Sequence, residues 1–346
     1  MTDKRRAIRS RLLRWFDRNQ RDLPWRRTRD PYRIWLAEVM LQQTRVPVVV
    51  AYYERFVRAF PTVEKLARAP VDRVLRLWAG LGYYQRARNL HRAASQIVRE
   101  HRGRFPRQLE AALALPGVGA YTARAVLSIA YLEPVAVVDG NVARVLARLF
   151  RLEGADSSNR GALQPLADRL VDPRRPGDFN QALMELGSTI CLPRWPRCSE
   201  CPLERLCAAR RAGVEQQMGV RRQKRPRRTM TLSVVVARRD GRVLVVREPR
   251  GYFSGLWHFP YVKGARVNGL ARSLGANGIR PLVRFTHQTT MRDLDLRVYE
   301  ARSEMDGDAA PVGARWVRPQ QVSRLGVGAA TRKINVALLQ KAGAKE

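Results

Sequence analysis

The chain has 346 residues, room for two domains of ordinary size, and its 45% hydrophobic content excludes an intrinsically disordered protein. Its 65 Lys and Arg against 30 Asp and Glu leave a net charge of +35, a surface that attracts polyanions, nucleic acid first among them. No run of about 18 apolar residues occurs and the N-terminus lacks a secretion-signal core, so a cytoplasmic, nucleoid-associated chain with no membrane partner is expected.

Residues 1–212 read as helical. Apolar residues recur at helical spacing in Ile8, Leu12, Trp15 and Phe16, and again in Val74, Leu75 and Trp78. Asp30-Pro31 marks a helix start before "YRIWLAEVMLQQT". Within it, Glu38 has apolar neighbours on nearly every side. A carboxyl so placed is desolvated and its pKa rises, unless the helix simply exposes it. Further on, "LPGVGAYTARAVL" sets Gly117 and Gly119 just before a helix. That pattern offers bare amides and a positive dipole end to an anion, and with the flanking "ALALP" it reads as a helix-hairpin-helix. Asp139 precedes "GNVARVLARLF". It is an N-cap by position, and a carboxylate at a helix N-terminus stays ionised. A protonated Glu beside an ionised Asp is the acid-plus-stabiliser pair that breaks glycosidic bonds.

All four cysteines follow within seventeen residues, spaced C-x6-C-x2-C-x5-C as Cys191, Cys198, Cys201 and Cys207. This clustering points to a metal site over disulfides, and the single CxxC unit favours [4Fe–4S] over zinc. With no spare ligand its role is structural, pinning the basic loop that carries Arg194 and Arg197. Residues 213–229 read as a basic linker, suited to phosphate or equally to a solvated tether. After 229 the pattern turns to strands. "TLSVVVA" and "RVLVVRE" flank Asp240-Gly241, a strong hairpin signal. Further strands are expected at 282–286, 294–300 and 314–318, with a closing helix at 329–341. The expected architecture is an all-α domain over 1–212 followed by an α+β domain over 230–346.

"LPGVGAYTARAV", "VVDGNVARVLAR" and the cysteine cluster together resemble the helix-hairpin-helix DNA glycosylases with an iron–sulfur loop. "WLAEVMLQQTRV" and "GLGYYQRARNLH" look like the adenine-excising branch of that superfamily, the MutY family. The match runs through about 15–210 and resumes more weakly over 230–346. The resemblance implies base excision repair. Adenine mispaired with 8-oxoguanine or guanine is flipped out of the duplex and its N-glycosidic bond hydrolysed. It implies a [4Fe–4S] cofactor, double-stranded mispaired DNA as partner, and a monomer. Carried over by motif, Glu38 is the acid that protonates adenine at N7, and Asp139 stabilises the oxocarbenium-like sugar. Asn141 is its polar neighbour, and Tyr121 lines the sugar's side. Trp25, Arg26 and Gln181 match the adenine pocket. Leu41, Gln42, Gln43 and Tyr83 match residues set into the duplex around the lesion, and Gly117 and Gly119 the phosphate grip.

The second domain resembles a Nudix fold through "FSGLWHFP", yet 261–283 contains no Asp or Glu, so it lacks the carboxylates of a Mg²⁺ site. Phe285, Thr286 and His287 match the loop that reads 8-oxoguanine, with Thr286 supplying the hydroxyl. Two rival readings remain. A bifunctional glycosylase–lyase needs a nucleophilic lysine where Tyr121 stands, and a non-catalytic DNA-binding protein would need neither Glu38 nor Asp139.

Overall fold

The computed structural model describes residues 2–154, 159–219, 227–248, 251–289, 292–305 and 313–343. The expected basic linker falls partly outside them, Arg221, Arg222, Lys224 and Arg225 included. Helices are α1 (Thr2–Asn19), α2 (Pro31–Leu41), α3 (Val46–Ala59), α4 (Val63–Ala67), α5 (Val71–Trp78), α6 (Tyr84–Glu100), α7 (Leu109–Leu113) and α8 (Ala120–Ala130), then α9 (Gly140–Phe150), α10 (Arg160–Leu170), α11 (Pro176–Thr189) and α12 (Ala208–Arg211). The strands and helices that follow are β1 (Arg228–Arg239), β2 (Arg242–Arg247), β3 (Trp257–His258), β4 (Tyr261–Lys263), α13 (Val267–Ser273), β5 (Ala276–Gln288), β6 (Arg292–Ser303), β7 (Ala314–Val317), α14 (Pro319–Val322) and α15 (Ala329–Gly343). The chain divides into two units: 1–68 with 89–223, and 69–88 with 224–346. No helix among the described residues is long and apolar enough to cross a membrane.

The first unit is all helical. Asp30 caps α2 by accepting from the Tyr32 amide at 2.9 Å, and Pro31 takes the first helical position, where its missing N–H costs nothing. From Ile34 to Met40 α2 is buried throughout, so it runs through the core and carries Glu38 inside with it. A second core joins Ile8, Leu12 and Phe16 of α1 to Val142, Leu146 and Leu149 of α9 and to Phe179, Leu183 and Leu186 of α11. Between α7 and α8 the hairpin turns at Gly117, whose φ of +76° favours glycine; a Cβ there would lie 2.7 Å from the Asn89 Cβ.

Helices α9 and α11 meet at Gly187. A Cβ added there would fall 2.6 Å from Asn141 Cβ and 3.1 Å from the Asn141 backbone carbonyl, a contact that backbone cannot yield to. Overpacking costs about 1–3 kcal/mol against about 1 kcal/mol gained in helix propensity. Gly187→Ala is therefore expected to lower the unfolding temperature by a few degrees, and to displace the turn that bears Asp139. A thermal melt alongside a rate measurement checks both; an unchanged melt would remove the tight contact from this account.

The second unit is built on one mixed sheet. Among the described residues its strand order is β3-β2-β1-β6-β5, with β4 beside β1 and β7 beside β2. β1 and β2 meet across Asp240-Gly241, both at positive φ as a tight hairpin turn requires. β1 is buried on both faces. Leu232, Val234 and Val236 face a core closed by Ile334 and Leu338 of α15, while Val235 and Ala237 face Leu274 and Ala276. The segment 69–88 belongs to this unit: Asp72 pairs with Arg247 at 2.8 Å, Arg76 donates to the Arg324 carbonyl, and Tyr84 to that of Val327.

Candidate active site

Four helices of the first unit converge on one pocket. Its lining includes Trp25 and Arg26 from the turn before α2, Glu38 and Leu41 from α2, and Tyr121 from α8. Asp139 and Asn141 reach it from the start of α9, Gln181 and Met184 from α11. Among the described residues no lysine lines it.

Glu38 is 5% exposed. The Tyr121 hydroxyl donates to its Oε2 at 2.7 Å and contacts Met184 Sδ at 3.2 Å. Burial pushes the Glu38 carboxyl up to about 7, the Tyr121 bond opposes this, and the nearby Asp139 charge adds to it. Tyr121 is itself pushed well above its usual range by burial and by both carboxylates, so it stays a phenol and a donor. Asp139 is served differently. Its Oδ1 accepts from the Val142 amide at 2.7 Å, capping α9, and its Oδ2 accepts from Asn141 Nδ2 at 3.1 Å. Burial is the largest influence and raises its pKa overall, against the lowering by those donors and by Arg144. The two carboxylates thus differ in kind: one has a single hydroxyl donor in an apolar wall, the other a helix N-terminus and an amide. Asp139 is an N-cap and a pocket residue at once, so the structural and chemical roles coexist.

Behind them, Arg144 donates to Asn141 Oδ1 at 2.9 Å, to the Gly187 carbonyl at 2.6 Å and to the Cys191 carbonyl at 2.8 Å. On the opposite wall Arg26 bonds Gln181 Oε1 at 3.2 Å and pairs with Glu185 at 2.8 Å, while Arg21 also pairs with Glu185. Burial is the largest influence on Glu185 and pushes it up, but its two arginines together outweigh burial and hold it low. Sequence reasoning missed Glu185, Arg21 and Met184, which sit in no distinctive motif, and Arg144, which lies within "VVDGNVARVLAR" but on a helix face the motif does not mark. A carboxylate in the otherwise apolar run "ALMELG" was the available signal.

Other expected site residues lie elsewhere. Gln42 Nε2 donates to Thr122 Oγ1 at 3.2 Å, and Gln43 follows it at φ +59°. Gly119 caps α8 with no side-chain partner to its first amides. In the second unit Tyr83 is 40% exposed at φ +48°, with the Arg86 guanidinium over its ring. It is a surface aromatic and not a core one. Tyr83 and His287 line one pocket there with Tyr252, Phe253 and Ser254. Phe285, Thr286 and His287 are not on a loop: they stand on β5, opposite Leu296, Asp295 and Leu294 of β6. Phe285 packs on the sheet's core under Lys333, and Thr286 is exposed.

The four cysteines form no disulfide, and all line one pocket with Val145, Leu149, Leu186 and Leu203. Burial pushes the thiols of Cys198 and Cys207 up, and that of Cys201 to about 12. Arg148, 1% exposed, donates to Cys191 Sγ at 3.3 Å, and the Arg210 charge opposes the rise at Cys198. Four soft donors in an apolar pocket beside a buried cation fit an iron–sulfur cluster. Among the described residues no three His, Cys, Asp or Glu side chains are grouped to hold a single metal ion.

Residues 36–164 match the HhH-GPD superfamily base excision DNA repair protein family, and 233–336 the NUDIX domain. The chain is 37% identical to the adenine DNA glycosylase of Homo sapiens over 400 residues, 95% of this chain and 73% of that one. It is 44% identical to the adenine DNA glycosylase of Mycobacterium tuberculosis over 224 residues, 63% of this chain and 73% of that one. A solved thermostable thymine-DNA glycosylase superposes with a TM-score of 0.57 at 35% identity, over 61% of this chain and 98% of that one.

Proposed function

The chain belongs to the adenine DNA glycosylase family, and we propose from that premise that it hydrolyses the N-glycosidic bond of adenine mispaired with 8-oxoguanine or guanine in duplex DNA. The observation that carries this reading is the pair of buried carboxylates with unequal donor sets. Adenine is flipped out of the stack, since its scissile bond is otherwise covered. Trp25, Arg26 and Gln181 enclose the base. Glu38, protonated below about pH 7, gives its proton to adenine N7. As the bond to the sugar lengthens, positive charge develops on the sugar ring and Asp139 faces it. Asn141 fixes the Asp139 rotamer, and Tyr121 holds Glu38 in register. Water completes the hydrolysis. With Tyr121 where a lyase needs an attacking lysine, no Schiff base forms and the enzyme is monofunctional.

Leu41, Gln42 and Gln43 fill and wedge the duplex, as does Tyr83 of the second unit, and Gly117 and Gly119 present α8 amides to a phosphate. Of Phe285, Thr286 and His287, assigned by motif to the 8-oxoguanine partner strand, Phe285 and His287 share one face of β5 and Thr286 the other, so the reading contact falls to His287. Cys191, Cys198, Cys201 and Cys207 would hold a [4Fe–4S] cluster whose contribution, having no open ligand position, is a structural cross-link. The functional division proposed is a glycosylase domain over 1–212, a basic linker over 213–229 and a lesion-reading domain over 230–346. The chain works as a soluble cytoplasmic monomer on the nucleoid.

The pH profile tests the acid assignment. Because the neutral form of Glu38 is the active one, the single-turnover rate is expected to be high below about pH 7 and to fall about tenfold per unit above it. A rate that rises through pH 7 to 8 would assign Glu38 the base role alone.

A further inference from the structure

The loop between the first two cysteines displays a tryptophan that the catalytic scheme does not use. Trp195 is 74% exposed, the most exposed large hydrophobic side chain among the described residues. Its backbone sits at φ +52°, in the left-handed region. A bulky residue there is an outlier, and the following Pro196 disfavours that conformation further. A free surface loop would relax out of it; this one is held. Its stem closes where the Arg197 amide donates to the Ile190 carbonyl at 3.0 Å. Inside, the buried Arg148 donates to the Leu192 carbonyl at 2.7 Å and to that of Pro193 at 3.0 Å, and Arg144 grips the Cys191 carbonyl. The strained indole is therefore presented outward from a fixed pedestal.

Its surroundings say what it meets. Arg194 and Arg197 flank it, both exposed. The pedestal also leads straight to the active site: Arg144 joins the loop's first carbonyl to Asn141, and Asn141 bonds Asp139. An exposed aromatic plate with exposed arginines on either side in sequence suits a nucleotide, whose base offers a π-face and whose phosphate offers charge. We propose that Trp195 stacks on a nucleotide of the bound DNA, with Arg194 and Arg197 on the adjoining phosphates. This inference rests on the glycosylase reading for its ligand, but its test is independent of turnover.

The test is the affinity of the full chain for a fluorescein-labelled duplex carrying adenine opposite guanine, measured by anisotropy across a salt titration. All variants carry Asp139→Asn, so binding is read without catalysis. Trp195→Ala is expected to weaken binding about 5- to 100-fold at every salt concentration, leaving the slope of log Kd against log salt unchanged. Trp195→Phe, which keeps a stacking ring, should recover most of the loss. Arg194→Ala should instead reduce the slope by about one. Unfolding temperatures of the variants separate a lost contact from a lost fold. Equal affinity of Trp195→Ala and its parent overturns the proposal and hands the exposed ring to a protein partner. So does a loss that Trp195→Phe fails to recover. A chain that binds through Trp195 yet releases no adenine in its wild-type form would overturn the proposed activity and leave this contact standing.

Discussion

Asp139→Asn is expected to slow single-turnover release of adenine by about 10²–10³-fold, the range found when one electrostatic group facing developing charge is removed. The substitution is chosen because it spares the fold. Asparagine caps helices as well as aspartate does, so the amide oxygen can still accept from the Val142 amide and keep α9 started at Gly140. What disappears is the negative charge beside the sugar. Arg144 remains bound to Asn141, Gly187 and Cys191, so the wall behind the site is unchanged. An Asp139→Asn enzyme that keeps wild-type speed would reduce Asp139 to a cap and end the two-carboxylate mechanism.

Glu38→Gln should do two things at once. Without a transferable proton, adenine release falls by about 10²–10⁴-fold. The protein also becomes more stable near pH 8. Glu38 titrates near 7 when folded, above the value of about 4.3 for a free glutamate. Below pH 4 both states are protonated and burial carries no charge penalty. As pH rises from about 4.3 the unfolded chain ionises while the folded one cannot, so stability is lost progressively until about pH 7 and the loss is complete above it. A neutral amide removes the penalty, worth roughly 1–3 kcal/mol at pH 8 and nothing at pH 4. Thermal melts of the two proteins at both pH values check this. Equal melting temperatures at pH 8 would mean that Glu38 is not desolvated, whatever happens to the rate.

Local features were readable without a structure because they are made by neighbours in the chain. Asp30-Pro31 and Asp139 start their helices, and Asp240-Gly241 turns its hairpin, through bonds spanning two or three residues. The apolar run around Glu38 announced its burial because α2 from Ile34 to Leu41 is otherwise apolar on every face. Distant arrangements left no such trace. Segment 69–88 looks like any other amphipathic helix and turn, yet its Asp72 and Arg76 find partners in residues 247 and 324. β1 and β6 pair in parallel across about sixty residues of sequence. The residue pattern placed a strand at 282–286 while the matching motif placed Phe285, Thr286 and His287 on a loop; hydrogen bonding to β6 bears out the strand and carries it through to Gln288. Glu185 stayed hidden for a different reason. A single acidic residue on a helix says nothing of its partners, and Arg21 and Arg26 lie more than 150 residues away.

The most direct measurement is a single-turnover assay of the wild-type chain on duplexes with adenine opposite 8-oxoguanine, guanine or cytosine, each run with and without borohydride. The account predicts free adenine from the first two duplexes, an uncut sugar–phosphate strand, and no covalent protein–DNA adduct. No adenine from either duplex, or a robust trapped adduct, would contradict it.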